Sequence, residues 1–389
     1  MYFSKERKLR MAFHLYTEEQ EDMISLARQY GEKAIDPVIA EYDEKGVFPE
    51  DIIKSGLEMG FQALDFPEKW GGAGLSSMTA CVTFEELAKH DTGVACAFSV
   101  TSTAIAPVMR FGTDEQKMMV RQKIFEEGGL ASFCLTEPGA GSDSGASKTT
   151  AKLEGNHYIL NGNKVFITNG AYAELYLIIA STDKSKGNKG LTAFLVKRDI
   201  EGLSVGKEEN KCGFRTSNTV EVVLDNVRVP TSAVVGGEGN GFKMAMYALD
   251  HGRPYIGAIA VGLAQRALKE ATDYVKERRQ FGRSISDNQG IQWMLADMEI
   301  QIEASRCLVY HVAKLIDADK NITVNGSVAK CFATDTAMKV CTDALQLFGG
   351  YGYIKEYPME KLFRDAKIFQ IVEGTNQIQK IVIAKDLLR

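Results

Sequence analysis

Tyr158-Ile159-Leu160-Asn161-Gly162-Asn163-Lys164-Val165-Phe166-Ile167 sets two short β-rich runs on either side of an Asn-Gly pair. Asn-Gly suits a tight two-residue turn because both central positions need positive φ. The stretch therefore predicts a β-hairpin. Outward from it, residues 175–180, 191–196 and 220–224 repeat the same branched and aromatic texture. Together these runs predict a small antiparallel β domain that begins after Gly128-Gly129.

Both flanks read as helix. Upstream, Thr17-Glu18-Glu19-Gln20 has the form of a capping box, and Met23, Ile24, Ala27 and Tyr30 recur at helical spacing up to Pro37. Residues 52–57, 80–89 and 101–110 continue the pattern, with breaks at Gly71-Gly72-Ala73-Gly74 and at Gly112. Downstream of Gly236-Gly237-Glu238-Gly239-Asn240-Gly241, residues 258–278, 291–316, 328–347 and 378–388 predict four long helices, hence a bundle. Strands and helices do not alternate, which disfavours a Rossmann fold. The expected fold class is α+β. It comprises an N-terminal helical domain over residues 11–130, a middle antiparallel β domain over 131–240 and a C-terminal four-helix bundle over 241–389.

A chain of 389 residues has room for several cores and a cofactor cleft. The formal net charge of −5 gives no reason to expect nucleic acid, so an anionic ligand must be met by local positive groups. Seven scattered cysteines, never spaced as CxxC, argue against a disulfide framework and a zinc site, and point to the cytoplasm. The five histidines join no Cys or carboxylate cluster, so no metal is expected, and no G-x-S-x-G elbow suggests a hydrolase. No apolar stretch reads as a membrane span, and Lys5-Glu6-Arg7-Lys8-Leu9-Arg10 is not followed by the apolar run of a secretion signal. Residues 1–10, ahead of Met11, are read as an upstream start or a remnant outside the fold.

Two segments can approach a ligand closely. In Phe133-Cys134-Leu135-Thr136-Glu137-Pro138-Gly139-Ala140-Gly141-Ser142-Asp143, a strand-like start leads into glycines that free backbone N–H groups, with hydroxyls from Thr136 and Ser142. Val165-Phe166-Ile167-Thr168-Asn169-Gly170 puts an aromatic ring and a hydroxyl at a strand end, suited to a flat heterocycle. Taken singly, each reads as well as an ordinary turn or core strand.

Joined with Arg278-Arg279-Gln280-Phe281-Gly282-Arg283, Leu347-Phe348-Gly349-Gly350-Tyr351-Gly352 and Glu373-Gly374-Thr375-Asn376-Gln377-Ile378, they resemble the acyl-CoA dehydrogenase family in order and spacing. The resemblance runs from about Thr17 to Arg389. It implies a homotetramer, a dimer of dimers, with non-covalent FAD at a subunit interface. Leu135, Thr136 and Ser142 would meet the flavin ring, with Phe166, Ile167 and Thr168 on its other side, while Thr375 and Gln377 would hold the adenosine part. Arg278, Phe281, Gln289, Gln346, Gly349 and Gly350 would reach a neighbouring subunit's cofactor, Arg278 meeting pyrophosphate. Ser142, Phe242, Asp250 and Arg253 match positions that contact CoA or shape its channel.

The resemblance makes Glu373 the base that takes the α-proton of an acyl-CoA, while the β-hydride goes to flavin N5. Its apolar neighbours Ile371 and Val372 suggest desolvation, which would raise a carboxyl from about 4.3 toward neutrality. The position that carries the base in some members is Gly252 here, which cannot serve. Ala95 and Ser99 would line the far end of the acyl pocket, Ala95 replaces the arginine of the glutaryl-CoA branch, which argues against a dicarboxylic substrate, and the small Ala95, Ser99 and Gly252 leave a short straight, a branched or an alicyclic acyl chain open. Asp91 reads foremost as an N-cap; turned to the acyl chain, it would permit 1,4-dehydrogenation of a cyclic enoyl-CoA. The expected electron acceptor is electron-transfer flavoprotein, in catabolism of fatty or organic acids. An acyl-CoA oxidase, disfavoured by chain length, and a non-catalytic FAD-binding assembly protein are the alternatives.

Overall fold

The computed structural model describes residues 15–389; residues 1–14, with the basic opening and Met11, lie outside the described part. The N-terminal third is helical: α1 (Glu18–Tyr30), α2 (Ile39–Lys45), α3 (Glu50–Glu58), α4 (Ser77–Ala88), α5 (Thr92–Phe111) and α6 (Asp114–Val120). The expected capping box is present, Thr17 and Gln20 exchanging side-chain and backbone hydrogen bonds.

The middle region holds β1 (Leu130–Cys134), β2 (Thr150–Glu154), β3 (His157–Thr168), β4 (Ala173–Ser181), β5 (Leu191–Lys197), β6 (Leu203–Glu208), β7 (Thr219–Pro230) and β8 (Val234–Val235). They form one sheet in the order β6-β7-β3-β2-β4-β5-β8, with β1 also on β4. Two expectations are corrected here. The sheet is mixed, since β1 runs parallel to β4 and β2 touches β4 in parallel at Thr150 and Ser181. And Asn161-Gly162 is not a hairpin turn: both residues lie inside β3, where the register against β7 shifts between Leu160 and Gly162. Asn161 spends its side chain across the strands, accepting from the Asn226 N–H at 2.8 Å. The turn that Asn-Gly promised falls earlier, at Gly155-Asn156, where Gly155 has φ 64°.

The C-terminal region holds α7 (Gly241–Glu277), the short strands β9 (Arg279–Gln280) and β10 (Arg283–Ser284), α8 (Gln289–Asp317), α9 (Thr323–Phe348), α10 (Met359–Phe369) and α11 (Asn376–Leu387). α7 begins 17 residues ahead of the expected start, running through Pro254, and α10 was not anticipated.

α5 joins the layers. Its mean hydropathy of 1.4 over an 18-residue window makes it long and apolar enough to cross a membrane, contrary to the expectation of no such stretch. Yet 94% of that window is buried among the protein's own residues, as in a core helix. Its polar side chains are satisfied locally: the Thr101 and Thr103 hydroxyls donate to the carbonyls of Ala97 and Ser99, both at 3.0 Å. Thr101 also accepts from the Ala131 N–H of β1 at 3.2 Å, and Asn169, just past β3, donates to Ala97 O at 2.8 Å. β4 shows the period of two that binds this assembly. Leu175, Leu177 and Ile179 pack toward α5 and α6, while Tyr176, Ile178 and Ala180 pack with β3 and β7.

Candidate active site

Between α10 and α11 the chain turns through Glu373 and Gly374, which adopt consecutive positive φ values of 54° and 84°. Such a conformation costs a non-glycine residue about 1 kcal/mol or more, so neighbours must hold it. Gln379 Nε2 donates to the carbonyls of Glu373 at 3.0 Å and Gly374 at 2.9 Å. Lys330, from α9, donates its ammonium to Gly374 O and to Asn376 Oδ1, both at 2.9 Å. Glu373 N–H, by contrast, donates to no acceptor among the described residues.

The loop aims the Glu373 carboxylate inward. Although the residue as a whole is half-buried, its Oε2 is sealed from solvent and has no hydrogen-bond partner. The facing wall comes from α5 and α7: a Cβ on Gly252 would stand 3.3 Å from that oxygen and 2.6 Å from Thr103 Oγ1. Burial pushes the Glu373 carboxyl up to about 7, the charges of Arg253 and Lys330 pulling the other way. A carboxyl that titrates near neutrality and keeps an oxygen free of hydrogen bonds can take a proton from a bound carbon acid.

The other expected substrate positions fall on α5, on α7 and on the loop after β1. Asp250 pairs with Arg253 and accepts from Thr323 Oγ1 at 2.7 Å, while Arg253 Nε is buried without a partner. Burial raises the Asp250 carboxyl despite that arginine. Ala95 and Ser99 are buried in α5, the Ser99 hydroxyl donating to Cys96 O at 3.2 Å. Phe242 packs with the cluster that contains Leu135. Ser142 is exposed.

Asp91 belongs elsewhere. It caps α5, accepting from Val94 N–H at 2.9 Å and Thr216 Oγ1 at 2.7 Å, and its other oxygen meets Lys361 Nζ at 2.8 Å. Lys361 also bonds Asp365, which accepts from Thr92 Oγ1 at 3.1 Å. A carboxylate held by three donors in an ion cluster is a cap, and the alternative of a second base directed at an acyl chain is corrected accordingly.

The expected cofactor positions fall into two groups. The first lies on the sheet. Leu135 and Ile167 are buried, Thr136 O accepts from Val165 N–H at 2.9 Å, and Thr168 O accepts from Ser132 Oγ at 2.8 Å. Phe166 stands 65% exposed at φ 58°. The second lies at the end of the bundle, where Arg278, Gln346, Gly349 and Gly350 line a groove of about 460 Å³ with Tyr274 and Tyr351. No sheet-side position lines that groove. Phe281, wholly exposed at φ 53°, projects from the β9–β10 turn, and Gln289 opens α8 nearby in sequence. Thr375 caps α11 by accepting from Ile378 N–H, and Gln377 is exposed.

These positions fit a flat, anionic cofactor. Two phenylalanines held outward on positive-φ backbone are costly unless something covers them. Arg278 lies 5.3 Å over the Tyr351 ring with no carboxylate partner among the described residues, and a Cβ on Gly349 or Gly350 would meet nothing within 4 Å. Among the described residues no group of three or more His, Cys, Asp or Glu could hold a metal ion.

Sequence reasoning missed the residues that hold the site in place: Lys330, Asn376 and Gln379 around Glu373, and Lys164 beneath the first ligand loop. The available signal was charge out of place. Lys330 interrupts the small and apolar run Ala329-Lys330-Cys331-Phe332-Ala333, and Lys164 sits between β runs.

A helical–sheet–helical chain with outward aromatics for a planar cofactor and a sealed carboxylate is laid out as a flavoprotein oxidoreductase. Three family models match in order: the acyl-CoA dehydrogenase N-terminal domain over residues 17–127, middle domain over 132–227 and C-terminal domain over 239–388. A short-chain specific acyl-CoA dehydrogenase from Megasphaera elsdenii is 45% identical over 97% of this chain and 100% of its own length. The solved butyryl-CoA dehydrogenase of the same organism superposes with a TM-score of 0.95 at 44% identity, over 97% of this chain and 100% of that one. So does a chain solved in work on the electron transferring flavoprotein of Acidaminococcus fermentans and electron bifurcation, at 0.95 and 45% identity, over 97% and 99%. The chain belongs to the acyl-CoA dehydrogenase family. It is an FAD enzyme acting on acyl-CoA.

Proposed function

We propose that this enzyme removes the α-proton and β-hydride of a short, saturated acyl-CoA such as butyryl-CoA, giving the 2-enoyl-CoA, with Glu373 as the base. The observation that carries the reading is the Glu373 carboxylate itself, whose Oε2 is buried and partnerless and faces Gly252, where a Cβ would stand 3.3 Å from it. Glu373 takes the α-proton. Its own N–H, which donates to no acceptor among the described residues, would donate to the thioester oxygen and stabilise the charge that develops there. Asp250, Arg253 and Phe242 orient the CoA portion, and the small side chains at Ala95 and Ser99 shape the far end of the acyl site. FAD, when bound, supplies the acceptor for the β-hydride. Leu135, Thr136, Ser142, Phe166, Ile167 and Thr168 would hold its ring, and Thr375 and Gln377 its adenosine end.

Arg278, Phe281, Gln289, Gln346, Gly349 and Gly350 would contact the cofactor of a second copy, within a homotetramer. An exposed stripe on α8 supports assembly, with Trp293 at 62% and Ile300 at 65% exposure, seven residues apart, and Ala296 and Ala304 on the same face. Electron-transfer flavoprotein is the proposed electron acceptor, a reading that draws on the similar chain from the Acidaminococcus work. Seven free cysteines suit a reducing compartment, the cytoplasm.

The test is anaerobic mixing of the FAD-loaded protein with butyryl-CoA, followed by flavin absorbance. Bleaching in the wild type and its loss in Glu373→Gln, with flavin retained, is the expected result; undiminished bleaching in Glu373→Gln refutes the base assignment.

A further inference from the structure

Lys330 is wholly buried in α9, 43 residues before Glu373 in the chain, yet its ammonium reaches the backbone just beyond the base. It donates to Gly374 O and Asn376 Oδ1, both at 2.9 Å. Asn376 is itself locked, donating to Asp335 Oδ1 at 2.7 Å and Thr334 Oγ1 at 2.9 Å. Removing a charged side chain from water is costly, so a lysine survives here only with compensation. Its compensation comes from the loop that carries the base.

We infer that Lys330 is a positioning residue for Glu373: its ammonium pins Gly374 and Asn376 so that the base keeps its left-handed turn, and its charge favours the ionised carboxylate. The role deepens the function proposed above and rests on it. Two consecutive residues at positive φ need a clamp on their carbonyls, and Lys330 with Gln379 supplies one to Gly374 O from two directions. The electrostatic half is shared with Arg253, whose charge lowers the Glu373 carboxyl more than that of Lys330 does. The groups facing this pair are Arg253 from α7, Cys96 from α5, and Cys331 and Asp335 from α9 beside Lys330 itself. Arg253 shares its charge with Asp250, so Lys330 is the cation near the base that lacks a carboxylate partner of its own. Burial depresses the lysine to about 8, with the Glu373 charge acting against that, so both partners change protonation within the range where the enzyme can be assayed.

The test is the pH dependence, from 6 to 9, of flavin bleaching by butyryl-CoA in the FAD-loaded protein. In Lys330→Met the acidic limb moves up by about one unit, so bleaching at pH 6.5 falls roughly tenfold further than at pH 9. Lys330→Gln, which keeps a donor for Gly374 O but no charge, is made in parallel. It shows the same displacement of the limb with a smaller loss at pH 9. A loss equal at every pH in both variants, the limb unmoved, overturns the inference and leaves Lys330 a structural residue. Glu373→Gln measured alongside separates the two claims. If that variant bleaches at the wild-type rate, the base assignment fails and the role of Lys330 with it. If it is inactive while the Lys330 limbs stay in place, only the role of Lys330 is refuted.

Discussion

The molecule uses a buried lysine and a glutamate twice, for opposite ends. Beneath the first ligand loop, Lys164 donates directly to the Glu137 carboxylate at 2.7 Å, and also to Leu135 O at 3.1 Å. The same carboxylate accepts from the Lys148 and Thr149 N–H groups and from the Ser147 hydroxyl. Burial would raise the Glu137 carboxyl, but the Lys164 charge and these hydrogen bonds outweigh it and hold it down at about 2. Near Glu373 the lysine bonds the carbonyl next door and leaves the carboxylate oxygen bare, so burial prevails and the carboxyl rises to about 7. Whether a buried acid is a latch or a base is therefore decided by where the donors point, not by residue type.

The sharpest break in this comparison is kinetic. Glu373→Gln should lower the rate of flavin bleaching by butyryl-CoA about a thousandfold or more, while Glu137 variants that retain flavin keep the chemical step. Next comes stability. Lys164→Met strands a buried carboxylate and should cost about 3–5 kcal/mol in chemical denaturation, with weakened FAD retention because the Leu135–Thr149 loop loses its anchor.

The two carboxyls should also answer pH with opposite sign. Glu373 is raised in the folded state, so the fold binds more protons than the unfolded chain between about 4.5 and 7, and stability falls as pH rises through that window. Glu373→Gln should remove that fall, stabilising the FAD-free protein by up to roughly 3 kcal/mol at pH 8 while changing little at pH 4.5, as read from melting temperatures. Glu137 is depressed, so its contribution is present above about 4.5 and is lost as pH drops toward 2. The smallest effect is expected at Asp91. Asp91→Asn keeps an acceptor for Val94 N–H and loses the ion pair with Lys361, so stability should drop by about 1 kcal/mol and bleaching stay within twofold of wild type. A large kinetic loss in Asp91→Asn would return that residue to the reaction.

Local rules made much of this legible. The capping box at Thr17 is a contact between residues three apart, and such contacts can be read from a line of text. So can the change of period from helix to strand and back. Asn161-Gly162 shows where the same rules fail. Residues 158–167 match a hairpin, but Val227, Arg228 and Val229 of β7 pair across Leu160, Ile159 and Tyr158, and that distant ladder keeps β3 straight through a bulge. The parallel placement of β1 on β4 likewise depends on α5 below them, tied to β1 through Thr101.

By itself the sequence determined the order of helices, sheet and helices, the motifs that resemble one enzyme family, and Glu373 as the carboxylate to watch. The first rests on periodicity, and the other two on the family resemblance carried by short local motifs. Only the tertiary structure decided that Glu373 is sealed against Gly252 and Thr103, that Lys330 reaches its loop from another helix, and that Asp91 spends its charge on Lys361. Desolvation and pairing are sums over neighbours from every part of the fold, and those sums exist only once the chain has packed.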